Sequence, residues 1–330
     1  MPEVEDGCAV QLWLWPEFSE GIDLRKLRLR RDALSTWERA AGTVRAYRSD
    51  WAQFSGWCLE AGRQPLPASH ETVSLYVVWM MEEAGRCVST ANRHLSGIAY
   101  CHKEARLPVP VDATTRDLLT SVRKRRRERP KGKAALSLED LRRAALSCDL
   151  REVAGVRDRA ALVLGFASGL RRSELAGLNL ADVQFEAEGL AVRVACGKTD
   201  QEGKGRVLGV FAGRQPGTDP VRTLQAWVSM RGSRPGPLFT RVRFGVATLE
   251  RLAGDAYNRI VKAAVERIGL PRAAYGAHSL RAGLVTAAAE QGASDAEIMF
   301  ASGHASASVM RGYIRSGRLF ARRNPLAGAL

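Results

Sequence analysis

From Ser35 the pattern turns helical, with residues stepping at three or four positions. Thr43, Tyr47, Asp50 and Phe54 lie on one line, with Val44, Trp51 and Cys58 beside it. That spacing predicts a helix beginning near Ser35. Pro65 and Pro67 break it, and Ser69 is placed to cap a second helix through Val73, Tyr76, Val77 and Met80. A third begins at Ser89 and ends before Pro108 and Pro110, and a fourth covers Asp112 to Arg123. Four helices in so short a stretch predict a compact bundle.

The second half starts with a new cap, Ser137 with Asp140, ahead of an apolar run. The segment DRAALVLGFASGLRRSELAGLNLADV reads as a helix stopped at Gly169 and a second helix starting near Arg172. GLAVRVA and GRVLGVF alternate as short strands around the polar hairpin CGKTDQEGKG. Helices follow in PVRTLQAWVSMRG, YNRIVKAAVERIGL, HSLRAGLVTAAAEQG, DAEIMFASG and SASVMRGYI. The predicted class is mainly α with a small antiparallel β-sheet.

Between the halves, RKRRRERPKGK at 123–133 holds eight basic residues and is punctuated by Pro130 and Gly132, so it cannot bury itself. The predicted layout is an N-terminal extension over 1–33, a helical domain over 34–122, a basic interdomain linker over 123–136 and a second domain over 137–330 with a C-terminal tail. The extension joins QLWLWPEF to LRKLRLRRD. It reads equally as a strap on a domain or neighbouring subunit and as an extension with no role.

Composition narrows the partners. A chain of 330 residues exceeds one ordinary core. Its net charge of +15, from 50 Lys and Arg against 35 Asp and Glu, draws polyanions, with nucleic acid first among them. The six cysteines form no CxxC pair and have no His partner at ligand spacing, which argues for reduced thiols in a cytoplasm and against zinc. No apolar run reaches membrane-helix length, and the acidic start MPEVEDGCAV lacks the basic region of a secretory signal.

The candidate chemistry is a set of six polar residues. Arg171 lies in GLRRSEL, Lys198 in GKTDQEGKG, His278 and Arg281 in HSLR, His304 in ASGH and Tyr313 in MRGYIR. Two guanidiniums, an ammonium, two imidazoles and a phenol share one target, a phosphate in DNA. No acidic cluster has metal spacing, so a metal-dependent nuclease is disfavoured and no cofactor or metal is expected. Arginine offers a planar fork to two phosphate oxygens, which lysine does not. Glu174, three residues after Arg171, is placed to orient an arginine or histidine.

This set and its order resemble the catalytic domain of the tyrosine recombinases, the phage and mobile-element integrases, from about residue 34 to about residue 320. The resemblance implies an N-terminal helical core-binding (SAM-like) domain and a catalytic domain forming a C-shaped clamp around DNA. It implies that Arg171 and Arg281 clamp the phosphate, that His278 bonds it or moves a proton at the nucleophile, and that His304 supports it. Tyr313 would be the nucleophile, leaving a 3′-phosphotyrosyl ester and a free 5′ hydroxyl. Lys198 is favoured as the acid for the leaving oxygen, with Lys204 the rival in the same hairpin. In the first domain, Arg45, Arg48, Arg93, His94 and Lys103 are expected on DNA-facing helices. Arg125, Arg126, Arg127 and Lys131 of the linker are expected on the phosphate backbone.

The implied activity is site-specific recombination of double-stranded DNA without ATP or metal, by a homo-tetramer at a specific recombination site. A mobile genetic element, an accessory directionality factor and a cytoplasmic, nucleoid-associated location fit the same picture. Two alternatives are a type IB topoisomerase-like enzyme that relaxes one duplex and a non-catalytic DNA-binding regulator on the same scaffold.

Overall fold

The computed structural model describes residues 41–127, 132–195 and 205–303, with positions 306, 307, 310 and 312. The chain forms two compact units, Met1–Pro130 and Lys131–Leu330. Each is described by itself.

In the first unit, α1 (Ala41–Glu60), α2 (His70–Glu82), α3 (Val88–Glu104) and α4 (Ala113–Arg126) pack around Phe54, Tyr76, Met80, Ile98 and Leu119. The Ser69 hydroxyl accepts the Thr72 N–H, and the Asp112 carboxylate accepts that of Thr115, so both caps close their helices. At the end of α3 the buried His102 ties neighbouring backbone together. Its Nδ1 lies 2.8 Å from the Ile98 carbonyl, and its Nε2 accepts the Ala68 N–H at 3.0 Å.

Two expectations for this unit fail. His94 does not face outward: it is 2% exposed, with Nδ1 at 3.0 Å from the Tyr76 hydroxyl and Nε2 at 3.2 Å from Asp50. A neutral ring carrying its proton on Nε2 satisfies both partners. Burial lowers the His94 pKa more than Asp50 raises it, and Arg93 and Arg86 lower it further. Arg93 is half-exposed but spends two donors of its fork, Nε and Nη2, on Asp50 at 2.8 Å each. Arg45, Arg48 and Lys103 are exposed, as a surface role requires.

The second failure is the start of the linker. Helix α4 continues through Arg123, Lys124, Arg125 and Arg126, and Arg127 takes the left-handed cap at φ 48°. Basic side chains complement the negative end of a helix, so this run extends α4 instead of ending it. Arg125 pairs with Glu82 at 2.8 Å, and Arg126 donates to the carbonyls of Met81 and Arg86. Lys131 lies outside the described residues.

The second unit is built on α6 (Val153–Ser168), whose residues from Ala160 to Phe166 are all buried. Around it stand α5 (Leu138–Leu146), α7 (Arg172–Gly177), α8 (Pro220–Arg231), α9 (Gly254–Arg267), α10 (His278–Glu290) and α11 (Asp295–Ser302). Glycine brings α10 close: a Cβ at Gly283 would stand 2.3 Å from the Leu136 carbonyl oxygen and 2.5 Å from the Phe166 ring. Strands β1 (Val183–Phe185), β2 (Gly189–Val194) and β3 (Arg206–Phe211) form an antiparallel sheet in that order. Its inner positions Leu190, Val192, Leu208 and Val210 join the core.

A second hairpin, β4 (Thr240–Arg243) with β5 (Val246–Arg251), has no counterpart among the expected elements. β4 is only four residues long and β5 has no buried position, so neither gives a clear strand signal. Its turn places Phe244 at φ 51° and Gly245 at φ 73°, the positive pair of a type I′ turn without the usual Asn-Gly signal. Among the described residues, no His, Cys, Asp and Glu group can hold a metal ion, and no helix is long and apolar enough to cross a membrane.

The buried pair in the first unit yields a test. Asp50→Ala leaves the buried His94 donor without its acceptor and frees Arg93, and is expected to destabilise this unit by about 2 kcal/mol. Urea unfolding followed by the fluorescence of Trp51, Trp57 and Trp79 measures it. A change below about 1 kcal/mol would contradict a supporting role for the network.

Candidate active site

The site forms where α6 stops. Gly169 takes the left-handed conformation at φ 59°, and the chain turns through Leu170 into Arg171, which stands at the N-cap of α7 and not within the helix. Arg171 and Glu174 meet through two hydrogen bonds: the Arg171 N–H donates to Glu174 Oε2 at 2.8 Å, and Arg171 Nη1 donates to Oε1 at 2.7 Å. Burial alone raises the Glu174 pKa, but those hydrogen bonds and the charges of Arg171 and Arg206 outweigh it and hold the carboxyl below its ordinary value. Glu174 is therefore ionised at neutral pH. The Arg171 side chain remains 27% exposed.

Arg281 sits one turn into α10 and is 2% exposed. Its Nη1 donates to the Gly169 carbonyl at 2.7 Å and to the Ser302 carbonyl, and Nη2 lies 3.5 Å from that of Gly303. One guanidinium thus joins the carbonyl ends of α6 and α11. This is more than the phosphate clamp expected from sequence, because part of the fork serves the fold.

His278 opens α10 and is exposed. The protein packed around its ring lowers its pKa most, and the charges of Arg281 and then Arg171 lower it further. The charges of both Arg281 and Arg171 therefore act on His278. A pKa lowered from 6.5 favours the neutral imidazole at physiological pH, the form that can accept a proton. Asn258 on α9 holds the approach to it, its Oδ1 accepting the Ala277 N–H at 2.9 Å.

Lys198, Lys204, His304 and Tyr313 lie outside the described residues. Two neighbours of the site escaped the sequence reading. Asn258 gives no signal in a helical pattern. Arg206, at the first position of β3, has its Nη2 3.4 Å from Glu174 Oε2. A basic residue directly after GKG was the available clue.

Arg171, Arg281 and His278 gather two guanidiniums and an imidazole, side chains suited to an anion. The comparisons give the family. Residues 136–318 match the model of the phage integrase family. An integrase/recombinase XerD homologue from Selenomonas ruminantium is 32% identical over 289 residues, covering 86% of this chain and 84% of the relative. The tyrosine recombinase XerC of Rhodospirillum centenum is 30% identical over 300 residues, covering 86% and 82%.

Solved structures share the fold. A Tn1549 transposon integrase in complex with transposon right-end DNA superposes with a TM-score of 0.57 at 16% identity, covering 86% of this chain and 92% of that one. A lambda integrase dimer bound to a core site gives 0.56 at 16%, covering 88% and 94%. The chain belongs to the phage integrase family and is a tyrosine site-specific recombinase.

The lowered His278 pKa has a direct test. By NMR its midpoint is expected below the ordinary 6.5. Arg171→Gln should raise it, since one like charge is gone, while burial and Arg281 keep it under 6.5. A parent midpoint at or above 6.5, or no response to the substitution, contradicts the electrostatic arrangement.

Proposed function

We propose that this recombinase cuts double-stranded DNA at a specific site by forming a phosphotyrosyl ester at Tyr313, and that it needs neither metal nor ATP. The observation that carries this reading is the neutral His278 set against Arg171 and Arg281. A site of two cations and an unprotonated imidazole favours a phosphodiester gaining negative charge and a nucleophile giving up a proton.

In the step proposed, the Tyr313 oxygen bonds to phosphorus and the bond from phosphorus to the 5′ oxygen breaks. The phenol proton passes to a base, for which His278 is suited, and Lys198, or Lys204 in its place, protonates the departing oxygen. Arg171, Arg281 and His304 stabilise the non-bridging oxygens. The ester retains the energy of the broken bond, so a 5′ hydroxyl from another strand reverses the step. Strand exchange between two duplexes makes a homo-tetramer the working unit, on DNA of a mobile element in the cytoplasm, with an accessory factor setting direction. Arg45, Arg48 and Lys103 of the first unit are proposed to contact the duplex, and Arg125, Arg126, Arg127 and Lys131 of the basic stretch that follows to run along its backbone.

Fragments tiling the DNA on either side of the gene provide the substrate. The parent chain is expected to form a covalent adduct with a fragment carrying the recombination site. Tyr313→Phe should bind that fragment within about twofold of the parent affinity and form no adduct, because only the nucleophilic oxygen is lost. A phosphotyrosine mapped by mass spectrometry to another tyrosine, or no parent adduct across the flanks, contradicts the proposal.

A further inference from the structure

Arg206 meets two segments of the site at once. Its Nη2 lies 3.4 Å from Glu174 Oε2, the oxygen that also accepts the Arg171 N–H at 2.8 Å. Its Nη1 stands 1.0 Å from where a Cβ would stand at Gly303, so this guanidinium fills the space a side chain there would need. Gly303 takes φ 64°, and its carbonyl faces Arg281 Nη2 at 3.5 Å. The Arg206 side chain is 30% exposed and Glu174 is 5% exposed, so the contact is sheltered on the carboxylate side.

The charges explain why a second arginine matters. Arg171 and Glu174 alone make a nearly neutral pair, and a neutral pair attracts a phosphate weakly. Glu174 is needed because it fixes the Arg171 backbone and fork together. Placing a second cation on the same carboxylate offsets its charge and leaves the field of Arg171 directed outward.

We infer that Arg206 is a positioning residue for DNA cleavage: seated on Gly303, it shares Glu174 with Arg171 and keeps the Arg171 guanidinium electrostatically available to the scissile phosphate. This rests on the proposed role of Arg171. Arg206 itself need not touch DNA.

The test is a double-mutant cycle on the full chain, using the flanking fragment that gives the parent adduct and reading the single-turnover rate of adduct formation. Arg206→Gln should slow it on the order of tenfold, with fragment affinity within about twofold of the parent and an unchanged melting temperature. Arg206→Lys, which keeps the charge, should recover most of the rate. In a Glu174→Gln background there is no carboxylate to offset, so adding Arg206→Gln should change the rate less than about twofold.

Arg171→Lys serves as the control and should be slow by about 100-fold. If it is slow while Arg206→Gln matches the parent, the inference is overturned and the site reading stands. If Arg171→Lys is not slow, the site reading itself fails. An equal Arg206→Gln defect in both backgrounds would mean direct phosphate contact or a structural role, and also overturns the inference. Should Arg206→Gln melt early, Arg206→Met supplies unbranched bulk without the charge and repeats the cycle; early melting of both makes Arg206 structural and sinks the proposal.

Discussion

A buried guanidinium governs the second unit. Arg281 is 2% exposed, and removing such a charge from water is costly unless donors find acceptors. It finds them in the carbonyls of Gly169, Ser302 and Gly303, where two helices end and their dipoles concentrate negative charge. Helix C-termini leave carbonyls without intrahelical donors, so cation and carbonyls satisfy one another. Two other candidate site residues lie close to this join in the chain: Arg171 comes two residues after Gly169, and His278 three before Arg281.

Carboxylates organise the remaining cations in both units. Asp50, 1% exposed, holds Arg93 and His94, and through His94 it reaches Tyr76. Glu174 holds Arg171 and Arg206. In each case one buried acid holds two basic residues through three nitrogens, which locks side-chain geometry that hydrophobic packing alone leaves adjustable. In the first unit the network is internal to the bundle. In the second it lies beside partly exposed guanidiniums, where a rigid cation is an advantage for binding an anion.

Much of this was legible in the residues because it depends on local chemistry. The caps at Ser69, Asp112 and Ser137 and the left-handed stop at Gly169 follow from short-range hydrogen bonding and backbone sterics. The set Arg171, His278 and Arg281 was visible through residue type and order. What stayed hidden depends on tertiary context. Nothing local tells that His94 points inward to Asp50, 44 residues earlier, or that Arg206 reaches Glu174 across 32 residues. The basic run at 123–126 looked like a linker by composition, yet helix polarity and Glu82 accommodate it in α4. The β4–β5 turn escaped because Phe244 adopts a backbone conformation that its residue type seldom takes.

The central claim is that the buried Arg281 holds the second unit together. Equilibrium denaturation of Arg281→Met tests it most directly, because methionine fills similar volume but donates nothing to the three carbonyls. The account predicts a loss of at least about 3 kcal/mol in the stability of the second unit, without DNA present. Unchanged stability with only cleavage impaired would contradict it, and would leave Arg281 a catalytic group alone.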